Sequence, residues 1–289
     1  MHRWLNIAIL IIATAIGLVA FLSPFLTGSP GDASTAGGFA PIAHVGDAPL
    51  LLVVLVVICL GTVLANMMAG SMDAKVVAIL GVLVAVSAVL RFLPGPGGFS
   101  GIFFLPILAG YVYGASFGFL LGSLSLLVSA LLGGGVGPWL PYQMFAAGWM
   151  GLLAAALPDL RRHRWLEVVS LTVWSFALGL LFGAIMNLWF WPFVFRPASA
   201  EMYWQPGQGI GEAARRYLAF YLVTSLSWDL WRAAGNALLM ALLARPVLQA
   251  LRRFQERFRF EWVPVPEESE PGITKRPVPQ TALSRSKAA

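Results

Sequence analysis

Three polar residues stand inside an apolar stretch late in the chain. Asp229, Arg232 and Asn236 are spaced three and four apart, so a helix carries them on one face. A charge at membrane depth costs roughly 3 kcal/mol or more unless it is paired or faces water. Two readings follow: a buried structural ion pair, or an Asp229 that holds Arg232 toward a ligand and leaves guanidinium donors free for a carboxylate, phosphate or amide. A second set is aromatic. Trp139, Tyr142 and Trp149, then Trp189 and Trp191, then Tyr203 and Trp204 gather near the ends of apolar runs, with Gln143 and Asn187 among them. Flat apolar faces with a few amides make a pocket for a ring-bearing ligand. Tryptophans at span ends also serve as plain anchors, so this second reading stays open.

Other chemistries lack their residues. The three histidines, His2, His44 and His163, fall in loops or at the terminus, and no HExxH metal site exists. There is no GxxxxGK[ST] phosphate loop, so energy from ATP has to come from a partner. No GxSxG nucleophile elbow is expected, and with it no hydrolase of that type. The single cysteine, Cys59, lies in an apolar run and allows neither an internal disulfide nor a cysteine metal cluster. The residues call for no metal and no cofactor.

These side chains are positioned by a membrane body. Of the 289 residues, 58% are hydrophobic and 11% charged, against roughly 25% charged in soluble domains. A helix crosses the hydrocarbon in about 20 residues, which leaves room for about eight crossings. The first apolar run, Leu5 to Leu26, is longer than the ~7–15 residues of a signal core and reads as a retained span. Leu50 to Gly70 and Val76 to Phe92 follow. Gly101 to Gly133 is too long for one crossing and reads as a hairpin broken near Gly114. The remaining spans are Tyr142 to Leu157, Leu166 to Trp191 and Tyr217 to Leu243.

Charge placement orients them. With the hairpin, 14 of the 19 basic residues fall on one side, including Arg3, Lys75, Arg161, Arg162 and Arg164. The positive-inside rule then puts both termini in the cytoplasm. The net charge of +6 reflects this placement and not a nucleic-acid partner. Beyond the last span, residues 245–262 form a basic amphipathic segment, read either as a helix on the inner membrane surface or as a continuation of the span. Residues 263–289, rich in Pro, Glu, Ser and Lys, read as a disordered cytoplasmic tail. A stripe of small residues, Ala74, Ala78, Gly81, Ala85 and Ala88, lets another helix approach closely, within the chain or from a separate subunit.

From Lys75 onward the order of features resembles the substrate-specific S components of energy-coupling factor (ECF) transporters. The resemblance is carried by the small-residue helix, the loop RFLPGPGGFS (Arg91 to Ser100), the segment FLPILAGYVYGASFGFLLGSL (Phe104 to Leu124) and, most specifically, GGVGPWLPYQMFAAGWMG (Gly134 to Gly151). It implies a six-helix core over residues 75–244 preceded by two extra spans in residues 1–74, in the cell membrane of a prokaryote. It implies capture of a vitamin or related micronutrient at the outer face for uptake. Work would be done by a transmembrane coupling subunit, on which the AxxxA pattern of Ala74 and Ala78 docks, and by two ATPase subunits. Ligand residues would come from the later helices and outer loops: Arg91, Trp139, Tyr142, Gln143, Asn187, Trp189, Trp204, Asp229, Arg232 and Asn236. The long outer loop from Trp191 to Arg216 leans the ligand toward a cobalamin-like corrinoid. The alternatives are a membrane enzyme acting on a lipid through Asp229 and Arg232, and a structural subunit with no ligand.

Overall fold

The computed structural model describes residues 2–27, 43–70, 72–93, 95 and 99–257. Among these there is no strand. The helices are α1 (His2–Thr27), α2 (Ala48–Met68), α3 (Ala74–Leu90), α4 (Phe104–Tyr113), α5 (Ala115–Ser129), α6 (Leu140–Ala154), α7 (Arg164–Phe190), α8 (Ile210–Thr224) and α9 (Leu226–Arg257). Five apolar stretches, Trp4–Leu26, Ala48–Met68, Ala115–Gly134, Arg164–Phe193 and Leu226–Glu256, are long enough to cross a membrane, and Ala74–Leu90 and Gly101–Tyr113 are shorter apolar helices. The chain is an all-α polytopic membrane protein, as its span lengths predict.

Helix ends follow local chemistry. The Asp73 carboxylate accepts from the Val76 amide at 2.8 Å and starts α3. Gly114, at φ +97°, separates α4 from α5, a backbone region that a side chain would resist. Contrary to the expectation that no GxSxG motif occurs, the stretch Gly114 to Gly118, GASFG, has that spacing. It turns from helix to helix, however, whereas a nucleophile elbow turns from strand to helix.

The core is built on backbone-to-backbone contact. A Cβ added at Gly110 would stand 1.9 Å from the Gly151 carbonyl oxygen, one at Gly118 2.4 Å from that same oxygen, and one at Gly122 2.2 Å from the Ala147 carbonyl oxygen. Helices α4, α5 and α6 therefore meet where no side chain intervenes, which is how helices associate without a hydrophobic drive. Ser123 donates to the Met144 carbonyl at 3.0 Å across the same seam. Around it pack fully buried Phe119, Tyr142, Met144 and Phe145.

The two N-terminal helices lean on this core. Asn6 and Asn66 join α1 to α2 by a reciprocal amide pair at 2.8 and 2.9 Å. Gly17 faces the rings of Phe145 and Trp149 on α6, and Phe21 meets the Tyr142 ring edge-on at 4.9 Å. Residues 28–42, between α1 and α2, lie outside those described.

Helices α7 and α9 run antiparallel. At one end Arg252 pairs with Glu167, whose other neighbour is the Tyr111 hydroxyl at 2.8 Å. At the other, Ser225 donates to Asn187 Oδ1 at 2.9 Å. The stretch Tyr217 to Leu243, expected as one span, is divided at Ser225, and it is α9, not α8, that runs the length of α7. The reason is amphipathicity: α8 carries Glu212 paired with Arg215 and Arg216 at its start, while Tyr217 donates to the Ala184 carbonyl and Phe220 packs on Phe190 and Trp191. Helix α8 thus lies beside the end of α7.

Helix α9 passes position 245 without a break and continues through Pro246 to Arg257. Leu248 and Leu251 of the expected amphipathic stripe are buried in the core, and Phe254 is exposed. Tyr113 donates to the Leu251 carbonyl at 2.7 Å and Gln255 to the Val112 carbonyl at 3.2 Å, so this extension is fastened to the end of α4. The tail expected over residues 263–289 lies outside the described residues. On α3, Ala74, Ala78, Gly81 and Ala85 are exposed, whereas Ala88 is fully buried.

Gly151→Val puts two methyl groups where the Gly118 carbonyl lies 2.1 Å from an added Cβ. It is expected to cost about 3 kcal/mol, read as a lowered unfolding midpoint in detergent. Gly81→Val, on open surface, is expected to leave that midpoint within the ~0.5 kcal/mol typical of surface changes.

Candidate ligand site

Three helix ends converge at the end of the bundle opposite Arg161, Arg162 and Arg164. Helix α6 brings Gln143, with Trp139 at its N-cap, four residues earlier on the same face. Helix α7 brings Phe182, Gly183, Met186, Asn187 and Phe190, a stripe at helical spacing, together with Trp189. Helix α9 brings Trp228, Asp229 and Arg232, with Ser225 at the joint before it. Together they line a cavity of about 400 Å³, a size at the lower end of small-molecule pockets.

Its polar groups are set by close packing. Gly183 has no side chain because the Asp229 carboxylate fills the place: an added Cβ would stand 1.9 Å from Asp229 Oδ2. One turn earlier, Gly179 meets the backbone of Ala233 at 2.8 Å. This glycine pair brings α9 against α7 and buries Asp229, which is 3% exposed. Asp229 Oδ1 accepts from Arg232 Nη1 at 2.5 Å. The Arg232 guanidinium also lies 5.6 Å over the Phe182 ring, a cation–π contact. The Asp229 carboxylate has the Tyr221 hydroxyl near it, but Oδ2 makes no close hydrogen bond among the described residues.

Two further groups lining the cavity have unused hydrogen-bonding capacity. Asn187 gives its Oδ1 to Ser225, while its buried Nδ2 has no partner among the described residues. The Trp189 Nε1 is in the same position. Both atoms are buried, while their residues line a cavity that offers amides, a hydroxyl, an ion pair and indole faces. Such a lining suits a flat, polar-edged ring compound bound by stacking and hydrogen bonds.

The structure brings together Trp139, Gln143, Asn187, Trp189, Asp229 and Arg232. Arg91 stands behind them, donating to Ser129 Oγ at 2.9 Å and reaching Gln143 Oε1 at 3.5 Å, so it backs the cavity wall. Asn236 is buried one turn below and donates to the Arg232 carbonyl at 2.9 Å. Tyr142 and Trp204 do not join the cavity. Tyr142 is turned about 100° from Gln143 around α6 and faces Phe21, His44 and Asp47. Trp204 belongs to a separate aromatic cluster with Trp191, Tyr203 and Phe220, and meets Phe25 of α1 edge-on. Phe182, Gly183, Met186, Phe190, Ser225 and Trp228 were not expected from the sequence. The signal for them was spacing: Gly183, Phe190, Ser225 and Trp228 lie three or four residues from Asn187, Asp229 or Arg232, Phe182 is next to Gly183, Met186 is next to Asn187, and Gly179 with Gly183 forms a small-xxx-small pair.

Residues 75–244 match the family described as ECF transporter, substrate-specific component. No curated protein and no solved structure matches the chain.

Gly183→Ala is expected to push Asp229 off α7 and lower stability by about 2 kcal/mol. In an Asp229→Ala background the same change is expected to cost clearly less, because the clashing carboxylate is gone. A double-mutant cycle of thermal midpoints reads the coupling, and strict additivity refutes the contact.

Proposed function

The chain belongs to the substrate-specific components of ECF transporters, and from that premise we propose that it captures a ring-bearing, vitamin-like micronutrient in the cavity between α6, α7 and α9. Proteins of this family bind small-molecule substrates and work with a transmembrane coupling subunit and ATPase subunits; they are transporter subunits, not enzymes. The observation that carries the ligand reading is the lining that joins the Asp229–Arg232 pair, the Gln143 and Asn187 side-chain amides and three indoles in one cavity. A flat ligand stacked on an indole face, with a polar edge that meets Arg232 and the side-chain amides, matches those groups. Asp229 keeps Arg232 in place and offsets its charge, so a neutral or singly anionic compound suits the site better than a cation.

Size narrows the class. About 400 Å³ suits a compound of one or two fused rings. A cobalamin-like corrinoid is far larger than this cavity. The cavity lies at the outer face, on the side away from the arginine clusters, as the positive-inside rule orients the chain.

Helix α3 supplies the docking face. Ala74, Ala78, Gly81 and Ala85 point away from the body, and a Cβ added at Gly81 meets nothing within 4 Å. The core glycines of α4 to α6 are all filled by neighbours, so the open small-residue face on α3 suits a helix of the coupling subunit.

Two experiments test these assignments. The compound extracted from the purified protein and identified by mass spectrometry is expected to bind roughly tenfold or more weakly to Trp189→Ala and to Asn187→Ala, by titration calorimetry; full affinity in both variants displaces the site. Ala74→Trp with Ala78→Trp is expected to abolish uptake into vesicles reconstituted with the partner subunits and leave binding intact. Retained uptake removes the docking role of α3.

A further inference from the structure

His44 lies outside the family-matched segment, in the short turn that leads into α2, yet it touches Trp189 of the cavity wall. It is 6% exposed and has φ +60°, a left-handed conformation that few non-glycine residues adopt. Its ring is enclosed by Tyr142, Trp189 and Phe193, with centroids 4.4, 6.0 and 4.8 Å away. Both ring nitrogens are engaged. Nε2 lies 3.0 Å from the carbonyl oxygen of Trp189, which can only accept, so Nε2 bears a hydrogen and donates. Nδ1 lies 2.9 Å from Asp47 Oδ2 and 2.6 Å from the Tyr142 hydroxyl, and that hydroxyl also donates to Asp47 Oδ2 at 2.7 Å. Burial pushes the Asp47 carboxyl up, but the hydrogen bonds from His44 and Tyr142 outweigh it and hold its pKa below the ordinary carboxylate value.

The partner of Nε2 gives this contact its meaning. The last four carbonyls of a helix have no amide one turn ahead to satisfy them, and basic side chains are favourable there. Helix α7 has no basic residue in its own last turn. A histidine 145 positions away in sequence supplies the missing donor. That last turn presents Asn187, Trp189 and Phe190 to the cavity.

We propose that His44 is a positioning residue for the ligand site: as a cap donated by the N-terminal segment, it fixes the last turn of α7 and so the cavity wall formed by Asn187 and Trp189. Asp47 and Tyr142 orient the imidazole for that task. The two N-terminal helices are then part of the binding body and move with it. The inference rests on the cavity being the ligand site, while its test needs no ligand.

Hydrogen–deuterium exchange by mass spectrometry on the full chain in detergent reads the cap directly. His44→Phe keeps an aromatic ring and removes the donor; His44→Gln keeps an N–H donor and removes the ring. In His44→Phe the amides of residues 187–193 are expected to exchange about tenfold faster, with residues 164–178 of α7 unchanged, while His44→Gln stays close to the parent protein. Unchanged exchange in His44→Phe, equal acceleration in both variants, or acceleration along the whole of α7 overturns the proposal. If the cap is lost as expected but the parent protein retains no small molecule, the ligand reading fails and the cap stands.

Discussion

The approach of α9 to α7 is the contact on which the rest of this structure turns. Gly179 and Gly183 let the two backbones close until Ala233 and Asp229 occupy the space that side chains would have taken. Within apolar surroundings a carboxylate can be buried there because Arg232, one turn along, meets it at 2.5 Å. Removing either partner leaves a charge stranded, which is far more costly than exchanging the pair for apolar residues. The pairing is pinned at both ends, by Glu167 with Arg252 and by Asn187 with Ser225. One face of this helix pair, with the start of α6, becomes the cavity.

The neighbouring glycine seam between α4, α5 and α6 does a different task. It consumes its small residues internally and produces a rigid block, against which α1 and α2 lean through Gly17 and Phe21. The small residues of α3 look outward from the same body. Identical residue types thus have two uses here, one closed by the chain and one left open, and backbone distances separate them.

Much of this was legible in the sequence. Span lengths and charge placement gave the all-α membrane architecture, and the hairpin break at Gly114 followed from the charge argument. Asp229, Arg232, Asn187 and Trp189 stood out because polar and amphipathic groups within apolar runs are costly unless used. The division at Ser225 was hidden by a continuous apolar reading from Tyr217 to Leu243, although Glu212, Arg215 and Arg216 marked α8 as amphipathic. Tyr142 and Gln143 are adjacent in sequence but point to different sides of α6, and only packing tells which faces the cavity. His44 carried no local signal, since its partner, the Trp189 carbonyl, is a backbone atom 145 residues away.

A density map of the detergent-solubilised protein with its copurified compound, by cryo-electron microscopy, tests the central claim most directly. A flat ring system is expected between Trp139, Trp189 and Trp228, with polar edges on Asn187 and Arg232. A compound bound elsewhere, with the cavity between α6, α7 and α9 closed by its own side chains, contradicts it.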